Sequence, residues 1–302
     1  MARQSPSIKN LARDLENQEE TMLDTILKED IFKDLPTMPE VVVKVLKLLE
    51  NDTTPNMLLA DAIAHDPAMS ARIFTLINSP AYSTHSKPTK LDHAIGFIGR
   101  KMIKSIALEC SFKAATPQAG TFGKLLWENA IGCAVGARMI AMETKLFDLE
   151  EAFIAGMLCP IGKSVLASKY GDRYQKLLKS SVSSNKDLSI LEIEQFGFPN
   201  EVVAAVLLKK WNLDKVIVEA VLHFRDLKNQ SSSVEEKNLS RILNIAAAFC
   251  EKSGIGQIVP NNNIDVTKIL SAYLLHIQPE KMPQLHEQFI SLYEKDRDYY
   301  LS

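Results

Sequence analysis

Proline recurs in this chain where apolar runs begin, and that punctuation constrains the fold more than any other feature. Pro39, Pro55 and Pro67 each open a stretch in which apolar residues return every three or four positions. A missing N–H costs little there, because first-turn donors have no intrahelical partner. Pro39 precedes Val42, Val45, Leu46 and Leu49, inside a Thr37-Met38-Pro39-Glu40 pattern of capping-box type. Pro55 leads into Leu58, Leu59, Ala62 and Ile63. Asp66-Pro67 leads into Met69, Ile73, Leu76 and Ile77, with Asp66 as the expected cap. Asn78-Ser79-Pro80 stops that helix, since proline disfavours helical geometry in the residue before it.

Thr89-Lys90-Leu91-Asp92 is a second capping-box pattern, ahead of Ala94, Ile95 and Ile98, and Gly99 is placed to turn the chain before Ile103 and Ile106. After a small-residue break at 116–123, the spacing predicts helices over 125–143, 149–158, 163–179, 188–195, 200–211 and 213–224. Polar loops are expected at 81–88 and 180–185, and a Ser-rich linker at 229–236. Further helices are expected at 239–250, 266–277 and 282–293. No segment sustains strand alternation or a βαβ rhythm, so the expected fold class is all-α. The organisation expected is a polar arm over 1–20, a helical domain over 21–228 and a helical extension over 229–302. Within the domain, one subdomain ends near residue 115 and a second begins near 124.

With 302 residues, 46% of them apolar and 24% charged, the chain has ample material for a buried core. Its net charge of −2 provides no global basic field, so neither nucleic acid nor a membrane is an expected partner. The N-terminus is polar, no run is expected to reach the ~18 apolar residues that span a bilayer, and a cytoplasmic location is expected. Cys110, Cys133, Cys159 and Cys250 are scattered, with no CxxC pair, and read as reduced, buried small hydrophobes.

Several chemistries can be weighed on residues alone. The run Gly156-Met157-Leu158-Cys159-Pro160-Ile161-Gly162-Lys163-Ser164 imitates a phosphate-binding P-loop but has one residue too many between its glycines, and a helix-like run precedes it. Six histidines include no HxH and no HExxH, so each reads more simply as a packed or capping residue. Cys159 has Lys163 one turn away, which would depress its pKa in helical geometry; the competing reading is an inert buried thiol. Arg100, Lys101 and Lys104 follow the Gly99 turn as in a helix-turn-helix, although two packed helices joined by glycine look the same.

Taken together, five motifs resemble the HDOD family (HD-related output domain). They are Leu35-Pro36-Thr37-Met38-Pro39, Asp66-Pro67-Ala68-Met69-Ser70-Ala71-Arg72-Ile73, Asn78-Ser79-Pro80-Ala81-Tyr82, Ala94-Ile95-Gly96-Phe97-Ile98-Gly99 and Ala152-Phe153-Ile154-Ala155-Gly156-Met157-Leu158. The resemblance covers about Thr21 to Phe224 and implies an HD-domain-like helical bundle with an N-terminal helical subdomain. HD-type phosphohydrolases hold a metal with a His-Asp pair, where this chain has Cys159-Pro160; an upstream histidine falls on Asn129, another on Asn200, and only His223 of a histidine pair remains, beside Phe224. The resemblance therefore implies no metal, no cofactor and no enzyme, and a regulatory output module in bacterial signalling that acts through a protein partner. The alternative is a nucleotide or small-ligand sensor using the vestigial pocket through Asn129, Cys159, Lys163 and His223; a second alternative is a residual metal-dependent phosphohydrolase.

Overall fold

The computed structural model describes residues 30–79, 87–117, 120–184, 186–226 and 233–301. The expected arm over 1–20, Pro80-Ala81-Tyr82, most of the 81–88 loop and residues 229–232 of the linker lie outside them. Residues 118–119 of the 116–123 break and Asn185 do too. A short helix, α1 (Asp30–Lys33), belongs to a unit ending at Leu35, and Pro36–Ser302 forms a second unit. No strand occurs among the described residues.

The proline-marked starts are helix starts. Helices α2 (Glu40–Leu49), α3 (Asn56–Ile63) and α4 (Pro67–Asn78) begin at or just after Pro39, Pro55 and Pro67. The Asp66 carboxylate caps α4 by accepting the Met69 N–H at 3.0 Å. Neither expected capping box forms: Pro39 and Lys90 stand at the N-cap positions of α2 and α5 (Leu91–Ile98), so each helix starts too late for its threonine to cap it. Gly99, at φ +85°, turns α5 into α6 (Arg100–Ala115). These helices bury Val45, Leu59, Ile63, Ile73, Ile95 and Ile103 in one core.

Beyond the break come α7 (Gly120–Thr144), α8 (Leu149–Leu158), α9 (Ile161–Tyr170) and α10 (Asp172–Ser184). The predicted 163–179 helix is thus two helices, divided at Gly171 (φ +50°), and 180–184 is helical rather than loop. Then follow α11 (Leu188–Phe196), α12 (Asn200–Lys210), α13 (Lys215–His223) and α14 (Val234–Ser253). The Ser233–Glu236 end of the expected linker is a complete capping box that starts α14. The predicted 266–277 helix is only a 3₁₀ turn at Val266–Lys268 and the short α15 (Leu270–Leu274), before α16 (Met282–Leu301).

Helix α7 is the axis, packed by α8 on one side and α14 on another, while α9 meets α12 and α13 bridges α12 to α14. Contrary to expectation, Leu149–Tyr170, spanning α8 and α9, is long and apolar enough to cross a membrane; 89% of its most apolar window is buried inside the fold.

Candidate functional site

The two glycines that imitate a P-loop serve helix packing. A Cβ on Gly156 would stand 2.4 Å from the Cys133 carbonyl oxygen on α7, and one on Gly162 only 1.9 Å from the Asn200 carbonyl oxygen on α12. Between them Cys159 is still helical, but Pro160 (φ −89°, ψ 9°) is not, and the chain re-enters a helix at Ile161. That break aims the first turn of α9, and with it Lys163, at a cavity of about 580 Å³.

Asn129 from α7, Lys163 from α9, Glu201 from α12, Arg225 after α13 and Glu251 from α14 supply its inner polar wall, and residues 256–263 close one side. Gly256 (φ +63°) brings that segment onto α7, where a Cβ would lie 2.1 Å from the Asn129 nitrogen. Arg225 is ion-paired with Glu251 and stands 4.0 Å from Glu201. Burial opposes ionisation of Glu251, and the Arg225 guanidinium overrides it, holding the carboxyl below its ordinary range. Lys163 is different. The residue is 8% exposed, yet its side chain makes no hydrogen bond or ion pair with any described residue, and its charge reaches Glu251 only from beyond salt-bridge range.

Behind Glu201 runs a buried polar network. The Asn200 amide nitrogen donates to Glu192 at 2.9 Å and to Glu201 at 3.1 Å, its backbone N–H donates to Glu192 at 2.7 Å, and the Tyr174 hydroxyl donates to the other Glu192 oxygen. Burial, then the Glu201 carboxylate, push Glu192 up to about 7.

Of the four residues expected in the pocket, the structure brings Asn129 and Lys163 together and leaves out two. Cys159 lies a layer deeper, its thiol donating to the Gly156 carbonyl at 3.2 Å; burial pushes that thiol well up, outweighing the Lys163 charge. His223 faces Glu219 at 3.6 Å and does not line the cavity. Glu201, Arg225, Glu251 and Glu192 were missed. Glu201 follows the flagged Asn200 and Arg225 follows His223-Phe224, so both were near a signal; Glu251 lies in the extension that the motifs do not reach.

These side chains do not fit the metal that HD-type enzymes hold. Proline has no donor, Asn200 offers only a neutral amide oxygen, and His223 faces Glu219 instead. Among the described residues no group of three or more His, Cys, Asp or Glu is arranged to hold a metal ion. Two of the three helix-turn-helix cations are also engaged: Arg100 donates to the carbonyls of Thr54, Leu48 and Asn51 at 2.8–3.1 Å, and Lys101 pairs with Asp148 at 2.7 Å.

The fold has solved counterparts. An HDOD domain protein of unknown function from Geobacter sulfurreducens superposes with a TM-score of 0.70 at 18% identity, covering 95% of this chain and 97% of its own. A protein of Shewanella amazonensis SB2B named "Putative phosphohydrolase" gives 0.68 at 20% identity, covering 93% and 96%. A protein of Marinobacter aquaeolei VT8 named "Putative signal transduction protein" gives 0.68 at 19%, covering 98% of this chain and 66% of its own. An uncharacterized protein of Treponema pallidum (strain Nichols) is 21% identical over 219 residues, which is 71% of this chain but 42% of that relative's length. At these identities the likeness establishes the fold. The family follows from the sequence itself: the model of the HDOD domain matches residues 35–227, and the chain belongs to the HDOD family.

Proposed function

We propose that this HDOD domain is a non-catalytic regulatory module that binds a small polar ligand in the cavity beneath α9 and acts on a protein partner. One observation carries the ligand: Lys163, largely buried along its stem and with no side-chain partner among the described residues, lines about 580 Å³ of space. An ammonium with no acceptor of its own gains from a charged one, so the cavity favours a molecule presenting a carboxylate or phosphate to Lys163. The lining supplies as many anions as cations around it, Asp187, Glu201 and Glu251 against Lys163, Lys186 and Arg225, which favours a ligand with polar or cationic groups as well, such as a nucleotide. Pro160 in place of a carboxylate ligand, and neutral Asn129 and Asn200 in place of histidines, support a site without metal hydrolysis. Exposed apolar side chains on α3 and α5, Met57, Leu58 and Phe97, support a protein partner, and free cysteines support a cytoplasmic setting.

The test is a panel of nucleotides and small anionic metabolites read by thermal shift, with Lys163→Met alongside. A ligand at a hundred times its Kd stabilises by about 2.7 kcal/mol, a shift of several degrees that the substitution should abolish. No shift with any member, or a shift unchanged in Lys163→Met, overturns the ligand reading. Stoichiometric metal in the purified protein, with phosphatase activity, overturns the non-catalytic one.

A further inference from the structure

Three of the four cysteines, which the cavity does not use, meet in one place. Cys133 on α7 and Cys250 on α14 have their sulfurs 3.8 Å apart, and the Cys159 thiol is close enough to bias the Cys133 pKa. All three are buried, and none is in a disulfide. Sequence separations of 26 and 117 residues give no hint of this. The helices approach closely because their contact residues are small: a Cβ on Gly132 would stand 2.7 Å from the Cys250 sulfur, and one on Gly136 3.0 Å from the Ala246 Cβ.

We propose that Cys133 and Cys250 form a reversible, peroxide-sensitive dithiol–disulfide site. The distance suits it, since sulfurs 3.8 Å apart need to close by less than ~2 Å to reach the ~2.05 Å of a disulfide. Cys133 is the attacking sulfur. Hydrogen bonding with the neighbouring Cys159 and Cys250 thiols pushes its pKa well down, and the charges of Lys163 and Arg225 add to this, while burial pushes its two partners well up. The oxidant has a short route. Asn129, which lines the cavity, has its amide nitrogen 3.9 Å from the Cys133 sulfur, so a water-sized hydroperoxide in the cavity has one side chain to pass.

The balance is complete with hydrogen peroxide as the oxidant. The Cys133 sulfur attacks one peroxide oxygen as its thiol proton passes to the other; an S–O bond forms, the O–O and S–H bonds break, and the departing oxygen leaves as water. The Cys250 sulfur then attacks the Cys133 sulfenic sulfur; the S–S bond forms, the S–O bond breaks, and a second water leaves with the Cys250 proton. Two thiols are oxidised by two electrons and one peroxide is reduced to two waters. A small dithiol reverses the step by exchange. The bond would fasten α7 to α14 beside Asn129 and Glu251.

The full chain, reduced and then freed of reductant, is treated with hydrogen peroxide, unfolded in N-ethylmaleimide and mapped by peptide mass spectrometry. The expected result is loss of two alkylation equivalents, at Cys133 and Cys250, with a linked peptide pair lighter by two hydrogens, both reversed by dithiothreitol. In Cys250→Ala the link should vanish and Cys133 should become reactive to dimedone as a sulfenic acid. Full alkylation of Cys133 and Cys250 after peroxide, or a link to Cys159 in place of Cys250, overturns the proposal; the wild-type map decides it even if the variant does not fold.

Discussion

A carboxylate taken out of water must be met by donors or give up its charge, and Glu192 is pulled both ways. Three donors, from Tyr174 and Asn200, favour the ionised form, while burial and Glu201 favour the neutral one and raise its carboxyl from 4.5 to about 7. Between those values the folded chain holds a proton that the unfolded chain has released. Unfolding free energy therefore falls as pH rises from about 4.5 through about 7, with the loss complete above that. Glu192→Gln should flatten this slope and leave the variant the more stable above pH 7, by on the order of 2–3 kcal/mol. Its oxygen still accepts from Asn200, and its NH₂ can donate to a turned Tyr174 hydroxyl. Urea unfolding at pH 5 and pH 8 checks it; an unchanged slope would show that Glu192 is ionised throughout. Arg100 makes a simpler case. Its guanidinium donates to three carbonyls around the end of α2, a fork that a point-charge ammonium cannot copy. Arg100→Ala and Arg100→Lys should each cost about 1–3 kcal/mol, read as a lower urea midpoint at constant slope.

At the scale of elements, glycine spacing decides what can pack. Gly162→Ala places a methyl group within 1.9 Å of backbone on α12, so α9 and α12 must separate, at a cost of about 2–4 kcal/mol. Gly96→Ala on α5 meets only the movable Asn56 amide at 3.1 Å, and its helical gain of up to about 1 kcal/mol should leave it neutral or stabilising. Thermal unfolding of the pair separates packing from propensity; equal losses would refute the packing role of Gly162. The same comparison shows what could be read in the chain. Proline starts, the Asp66 cap and the Gly99 turn are local chemistry, so α2 to α6 were legible, as was the all-α class. The division at Gly171 and the irregular 266–277 segment were not, because an apolar period runs through both without registering the left-handed turns at Gly171 and His276. Asn129 and Lys163 were legible through motif position. Glu251 and the three-cysteine contact were not, since they depend on how α14 crosses α7.

For the whole molecule, the family match and the folding unit differ in extent. The match ends at residue 227, whereas the unit continues from Pro36 to Ser302. Helix α14 accounts for the difference. Its Leu239, Ile242, Leu243, Ile245, Phe249 and Cys250 are fully buried, and it covers the small-residue face of α7 while supplying Glu251 to the cavity wall. Burying five large apolar side chains is worth about 1.5–3 kcal/mol each, so their sum, on the order of 10 kcal/mol, rivals the whole stability of an ordinary domain. A fragment over 36–228 should therefore fail to fold cooperatively, although it retains every motif by which the family is known. Residues 36–302 should unfold in one transition. Calorimetry and size exclusion on the two fragments decide this: a monomeric 36–228 fragment with a sharp transition near that of 36–302 would show that α14 is an accessory. A broad or absent transition, with aggregation from the bared α7 face, would show that the HDOD fold in this chain is completed by residues outside its signature, and that the cavity exists only in the longer unit.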